Sequence, residues 1–474
     1  MMQSLGLSHL LTLHGLTAFS GLVIYVLASH VRGQRRHPSA AIAWVVSLAL
    51  LPYVALPLYF FLGNRKALRA PFAPLAVPLR FAPGVEADSL AARFQHLAAA
   101  MALPPADSYD ALQVHQDGQE ALAALRRVMG SAESSLDVST FLLGRDVLGE
   151  EVQQLLMARA QAGARVRLLV DGVGVYMGGR PHFGRLSAAG VQIAFFVSPL
   201  RSALVGRTNM RNHRKMVIAD GGRVWCGGRN LAAEYFVGDP AKDTRHPPWT
   251  DLSFDFQGQL ADHAQQQFDM DWAFATQTSA LPSRPKTSEE GLAAGSAAMA
   301  QFVPGGPDQK DDTVYSLLVS SCFNARRRIL VTTPYFVPDT TLLMAMTLAA
   351  RRGVCVDLLM PKKSNHLLAD VARHAALRDL AMAGGRVWMF PRMIHAKAVV
   401  IDGELAMAGS ANLDGRSLFL NYELMVAFFK PDDVQRFTRW IDGHISNAAP
   451  YAPVKPGFWG ELGEGLVRGL AFQL

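Results

Sequence analysis

The first 63 residues hold apolar positions in unbroken blocks, without the spacing of an amphipathic helix or strand. Ser8 to Ser29 contains no Asp, Glu, Lys or Arg, and a helix of that length crosses a hydrocarbon core of about 30 Å. Ala40 to Gly63 is also free of charge and carries Trp44, Tyr53 and Tyr59, rings of the kind that gather near membrane interfaces. The blocks predict a two-helix transmembrane hairpin within residues 1–69, with spans at about 8–29 and 40–63. A cleaved signal peptide is disfavoured, because no basic region precedes the first block and a second block follows it. Arg32, Arg35 and Arg36 lie between the blocks, and Arg65, Lys66 and Arg69 after them. These two groups conflict, so the positive-inside rule assigns no side to the rest of the chain.

A Pro- and Ala-rich connector at 70–108 ends the apolar blocks, and amphipathic helices then alternate with short apolar strands. This stretch is a repeat. A helical pattern around Glu120 to Met129 leads to LDVST (136–140), a helix through Arg159, and VRLLV (166–170). Its second copy runs from Val314 to Asn324 through ILVTT (329–333), a helix through Arg351, and VDLLM (356–360). AAGVQIAFF (188–196) answers MAGGRVWMF (382–390), and KMVIAD answers KAVVID. Strands this apolar are covered on both faces, which predicts an α/β fold of two tandem lobes, 109–277 and 313–446. A Ser/Pro/Ala/Gly-rich linker at 278–312 joins them, and a tail follows at 447–474.

At matching places in the repeat stand His213, Lys215 and Asp220, and His395, Lys397 and Asp402, each fitting H-x-K-x-x-x-x-D. A given histidine acquires that pattern by chance on the order of once in a few hundred. Two copies in register are therefore no accident. His and Lys two apart on one strand face the same way and can meet one phosphate. Gly227, Gly228 and Asn230 follow the first motif, and Gly409, Ser410 and Asn412 the second. Small residues allow backbone approach to an anion and the Asn amide adds a neutral donor, so Gly228, Asn230, Ser410 and Asn412 are candidate phosphate ligands. Asp220 and Asp402, at odd offset and beside a Gly, fit a structural or a catalytic role. WTDLSFDF (249–256) answers NYELMVAFF (421–429), which aligns Asp251 with Glu423. These carboxylates are candidates to hold a ring nitrogen of the histidines, with Glu234 in reserve in the first lobe.

Composition narrows the partners. The chain has 474 residues, half of them hydrophobic, and a formal charge of +7. That length exceeds what one core sustains, and the charge suits an anionic partner, lipid or nucleic acid. Cys226, Cys322 and Cys355 are odd in number and widely separated, which reads as reduced, mostly buried thiols.

The paired motifs resemble the phospholipase D superfamily over about residues 110–445. RNHRKMVIADG (211–221), GSANLDGRSLFLNYEL (409–424) and the N-terminal hairpin are similar to the bacterial cardiolipin synthase family within it. The closing segment GFWGELGEGLVRGLAFQL also resembles that family's, and from Phe458 it fits either a membrane surface or the catalytic core. The resemblance implies transfer of a phosphatidyl group from one phosphatidylglycerol to the hydroxyl of another, with glycerol released. It implies His213 as nucleophile and His395 as acid and base, through a phosphatidyl-histidine intermediate. Lys215, Lys397, Asn230, Asn412 and Ser410 would hold the phosphate. No metal or cofactor enters the scheme. The implied partners are a phospholipid, phosphatidylglycerol or phosphatidylethanolamine, and the bilayer of a bacterial inner membrane, with no nucleic acid. A hydrolytic phospholipase D would use the same residues with water as acceptor, and a nuclease of the superfamily would also use a basic groove.

Overall fold

The computed structural model describes residues 2–31, 38–63, 88–179, 181–197, 209–238, 247–278, 298–457, 460 and 463–465. The expectations for 70–87, for 279–297 of the linker and for 466–474 of the tail lie outside these residues.

The N-terminal region forms α1 (Met2–Val31), α2 (Pro38–Leu50) and α3 (Pro52–Leu62). The second span expected at 40–63 is thus not one helix. Pro52 lacks an N–H, and its ring disfavours helical geometry at the preceding residue. Leu51 accordingly sits at φ −132°, ψ 53°. Among the described residues, no helix is long and apolar enough to cross a membrane. The three helices pack through Tyr25, Leu48, Ala55 and Tyr59, while Leu16, Phe19, Leu50 and Val54 are exposed.

The first lobe contributes β1 (Asp107–Val114), β2 (Ser135–Thr140), β3 (Arg165–Asp171), β4 (Gln192–Phe196), β5 (Met216–Ala219), β6 (Arg223–Gly227) and β7 (Ser253–Gln257). The second contributes β8 (Ala298–Gly305), β9 (Arg328–Thr332), β10 (Phe336–Val337), β11 (Cys355–Pro361), β12 (Arg386–Phe390), β13 (Ala398–Ile401), β14 (Leu405–Gly409), β15 (Leu413–Asp414), β16 (Glu423–Phe428) and β17 (Ala449–Pro450). Strand order is β4-β3-β2-β5-β6-β7 in one lobe and β12-β11-β9-β13-β14-β16 in the other, so the sequence repeat is a repeat of topology. β1 joins the halves: it pairs with β7 from Asp110 onward and with β8 over Asp107–Tyr109, both antiparallel.

The central strands are buried beyond their first residue, which explains runs such as VRLLV and VDLLM. Asp117, Asp146 and Asp339 start the helices between them by accepting backbone N–H bonds. A core that includes Phe254, Phe256, Phe302, Phe428 and Phe437 is shared by both lobes. β2 and β3 run parallel while β5 runs back along β2, with Met216 opposite Ser139. In the second lobe Ala398 stands opposite Thr332 in the same way. Each motif histidine therefore enters just beyond the C-terminal end of its lobe's central parallel strand.

Candidate active site

The segments that carry the histidines are zipped to the opposite lobe. His213 N donates to Tyr422 O at 2.9 Å and Tyr422 N to Arg211 O at 2.8 Å. Reciprocally, His395 N donates to Thr250 O at 2.6 Å and Thr250 N to Met393 O at 2.9 Å. Tyr422 and Thr250 directly precede Glu423 and Asp251, so the same contacts deliver one carboxylate to each ring. His213 Nδ1 lies 3.0 Å from Glu423 Oε2, and His395 Nδ1 lies 2.7 Å from Asp251 Oδ2. The pairing is crossed: each lobe's carboxylate serves the other lobe's histidine. Glu234, the reserve, is exposed on a short 3₁₀ turn.

Glu423 is saturated. Oε2 also accepts from Ser410 Oγ at 2.5 Å, and Oε1 accepts from Ser417 Oγ at 2.7 Å and Asn421 Nδ2 at 3.2 Å. The Ser410 hydroxyl in turn accepts from Leu424 N at 2.9 Å. Its hydrogen is therefore directed to a carboxylate, whereas the sequence suggested a phosphate ligand. At the equivalent place in the first lobe a Cβ on Gly228 would run into the Asp251 carboxylate. Asp is one carbon shorter than Glu, so Asp251 fills the space that Ser410 fills beside Glu423.

The lysines lie against their own histidines. Lys215 Nζ donates to His213 O at 2.7 Å. Lys397 Nζ stands 2.7 Å from His395 Nδ1 and 3.0 Å from Nε2, and also donates to His395 O. Phe141 meets the His213 ring edge-on at 5.4 Å, and Tyr235 and Trp249 enclose His395 at 5.2 and 5.5 Å. The side-chain oxygens of the buried Asn230 and Asn412 have no hydrogen-bond partner among the described residues.

Burial sets the charges. It pushes Lys215 down to about 7 and Lys397 to about 8, against the pull of Glu423 and Asp251 respectively. It also lowers His213, and with the help of Lys397 it takes His395 to about 3. Asp251 falls to about 2 despite burial, because His395 and Lys397 favour its charged form. Lys397 acts electrostatically on His213, and Lys215 on His395, so each motif feels the other's charge. With both rings neutral, the two lysine cations stand against the ionised Asp251 and Glu423. The His213 side chain is 14% exposed and that of His395 5%, which makes His213 the more approachable ring.

The structure separates Asp220 and Asp402 from this cluster. Each lies seven residues beyond its histidine, on the order of 20 Å along an extended strand. The Asp220 carboxylate accepts N–H bonds from Glu133, Ser134 and Ser135. Asp402 accepts from Arg326, Arg327 and Arg328 in the same manner. Both adopt φ near +50°, at 51° and 56°, a conformation that Asp tolerates. They pin the start of the central strand to the turn after the motif strand, so their place in the motif reflects the turn.

Sequence reasoning missed Ser417, Asn421, Phe141, Tyr235 and Trp249. Ser417 and Asn421 fall inside the GSANLDGRSLFLNYEL run, and Trp249 two residues before Asp251, so proximity to marked residues was the available signal. Phe141 and Tyr235 carry no such mark. Among the described residues, no group of three or more His, Cys, Asp or Glu side chains is placed to hold a metal ion.

A sequence profile described as "Cardiolipin synthase, PLD-like domain" matches residues 125–272 and 319–445, which include both histidines and both carboxylates. The chain belongs to the cardiolipin synthase family. A second profile, "Phospholipase_D-nuclease N-terminal", matches residues 21–64. Among relatives within the family, the chain is 32% identical over 409 residues to cardiolipin synthase A of Pseudomonas syringae pv. syringae, covering 82% of this chain and 83% of that one. It is 30% identical over 435 residues to the cardiolipin synthase of Geobacillus thermodenitrificans, covering 88% and 85%. In fold, the family's architecture extends to the phosphatidylserine synthase of Haemophilus influenzae, at TM-score 0.59 and 12% identity over 81% of this chain and all of that one.

Proposed function

We propose that the protein is a phosphatidyltransferase that makes cardiolipin from two molecules of phosphatidylglycerol and releases glycerol. The carrying observation is the crossed pair of carboxylate-bound histidines, His213–Glu423 and His395–Asp251, each with its motif lysine against it. Nε2 of His213 attacks phosphorus while the bond to the glycerol oxygen breaks, and His395 gives that oxygen a proton. His395 then takes the proton of the second lipid's hydroxyl, whose oxygen displaces His213 from phosphorus. The low affinity of His395 for a proton in the empty site is opposed by the phosphodiester charge when substrate enters.

Lys215, Lys397, Asn230 and Asn412 hold the phosphate oxygens in this scheme, and Gly228 keeps room for Asp251. Ser410, with Ser417 and Asn421, acts as a positioning residue on Glu423. Asp220 and Asp402 act on folding. The catalytic unit comprises a first lobe that begins at β1 and a second that begins at β8 (Ala298–Gly305), inside the stretch expected as linker, and the α1–α3 region within 1–69 anchors it in a bacterial inner membrane. Outward-facing Leu16, Phe19, Leu50 and Val54 support the anchor.

The test is to incubate the detergent-solubilised protein with phosphatidylglycerol and a chelator and to identify products by mass spectrometry. Cardiolipin with one glycerol per turnover is expected. Phosphatidic acid as main product would overturn the transfer reading in favour of hydrolysis, and dependence on a divalent ion would overturn the metal-free scheme.

A further inference from the structure

Arg214 stands between His213 and Lys215 and points away from both, into the lobe interface, where its side chain is 0% exposed. Its guanidinium makes contacts in both lobes. Nη1 donates to Asp271 Oδ1 at 2.5 Å, in the first lobe. Nε donates to Glu423 O at 3.0 Å and Nη2 to Gly305 O at 3.0 Å, in the second. Nη2 also reaches Asp308 Oδ2 at 3.1 Å, and the guanidinium lies 5.2 Å from the centre of the Tyr422 ring.

Glu423 and Gly305 are direct partners in the β16–β8 ladder, at the end where that ladder stops. Arg214 therefore binds the carbonyls of both members of the terminal pair, one of which carries the carboxylate on His213. The equivalent residue of the other motif is Ala396, also buried, which can make no such bonds. The near-symmetric site is asymmetric at this place too.

We propose that Arg214 is a positioning residue for the first histidine: it fixes the Glu423 backbone across the lobe interface and so holds the Glu423 carboxylate on His213 Nδ1. The proposal rests on the assignment of the His213–Glu423 pair to the transfer reaction. A planar fork with several donors meets this task, and a lysine ammonium does not.

Two variants test it in the full-length, detergent-solubilised protein with phosphatidylglycerol. Arg214→Lys keeps a cation beside Asp271 and Asp308. Arg214→Met with Asp271→Asn removes the two buried charges together and leaves only Asp308, which is partly exposed, without its cation. Both are expected to keep the wild-type circular dichroism spectrum and KM within about threefold while kcat falls about a hundredfold, the scale on which a small misplacement of a reacting group acts. The rapid-quench burst of phosphatidyl-enzyme is expected to vanish with it, which a merely structural role would not cause. Wild-type kcat and burst in either folded variant would overturn the proposal, as would failure of both to fold. Absence of cardiolipin from the wild-type protein would instead remove the reading on which it rests.

Discussion

Nδ1 of His213 stands 3.0 Å from Oε2 of Glu423, a residue 210 positions further along the chain and in the opposite lobe. His395 and Asp251 are related in the same way across 144 positions. Neither lobe alone holds a histidine in a defined tautomer, so catalysis belongs to the docked pair and not to either half of the repeat.

Replacement of Glu423 by Gln tests that dependence. The amide leaves the shape nearly unchanged but removes the charge that fixes the imidazole and stabilises its protonated form. By the behaviour of other carboxylate–histidine pairs, kcat is expected to fall by about 10³–10⁴-fold with the fold retained. His213→Ala is expected to abolish transfer, and adding Glu423→Gln to it to cost nothing further. A large further loss, measured as residual cardiolipin formation, would break the link between the two residues.

Much of this site was legible in the sequence because the repeat can be aligned with itself. That alignment marked His213 and His395, their lysines, and the Asp251–Glu423 pair. It could not reveal the crossing, since which lobe's carboxylate reaches which ring depends on how the lobes dock. For Asp220 and Asp402 the odd offset left a structural and a catalytic role both open: the pattern brings them near the histidines in sequence, but strands β5 and β13 carry them away along the sheet. Ser410 was misread because small residues near a phosphate motif suggest anion contact, whereas its hydroxyl bonds a carboxylate that only the fold brings near. The break at Leu51 had its signal in Pro52, overridden by the uniform apolarity around it.

The pair Gly228 and Ser410 yields opposite expectations for exchanges of the same kind. Gly228→Ser places a side chain in the space of the Asp251 carboxylate and is expected to displace it from His395, lowering kcat at least a hundredfold. Ser410→Gly only withdraws one of the donors to Glu423 and is expected to cost about 1–3 kcal/mol of transition-state stabilisation, roughly 5- to 150-fold in kcat. Steady-state kinetics of the two variants decide the matter. An innocuous Gly228→Ser would contradict the packing argument.

Activity should fall on the alkaline side. Lys215 at about 7 and Lys397 at about 8 lose their protons as pH rises through those values, and with them the charge that receives the phosphodiester. kcat/KM, which reports the free enzyme, is therefore expected to decline above about pH 7. kcat is expected to hold to higher pH, because bound phosphate favours the ammonium forms. Both histidines are depressed by burial, so the neutral nucleophile persists to lower pH than an ordinary imidazole would. A kcat/KM profile flat to pH 10 would show that neither lysine loses its charge in this range.

Asp402 offers the complementary case, a motif residue whose loss should spare chemistry. Its carboxylate accepts backbone N–H bonds from Arg326, Arg327 and Arg328, and it is 8% exposed. Asp402→Ala would leave those donors partly unsatisfied and place alanine at φ 56°, so a loss of about 1–3 kcal/mol in stability is expected. Asp402→Asn keeps an acceptor oxygen and a residue that tolerates left-handed backbone, so it should lose less. Urea denaturation gives the stabilities, and turnover per folded molecule gives the chemistry. If Asp402→Asn folded at wild-type stability yet lost its kcat, the aspartate would belong with the histidines after all, and the separation along β13 would need another explanation.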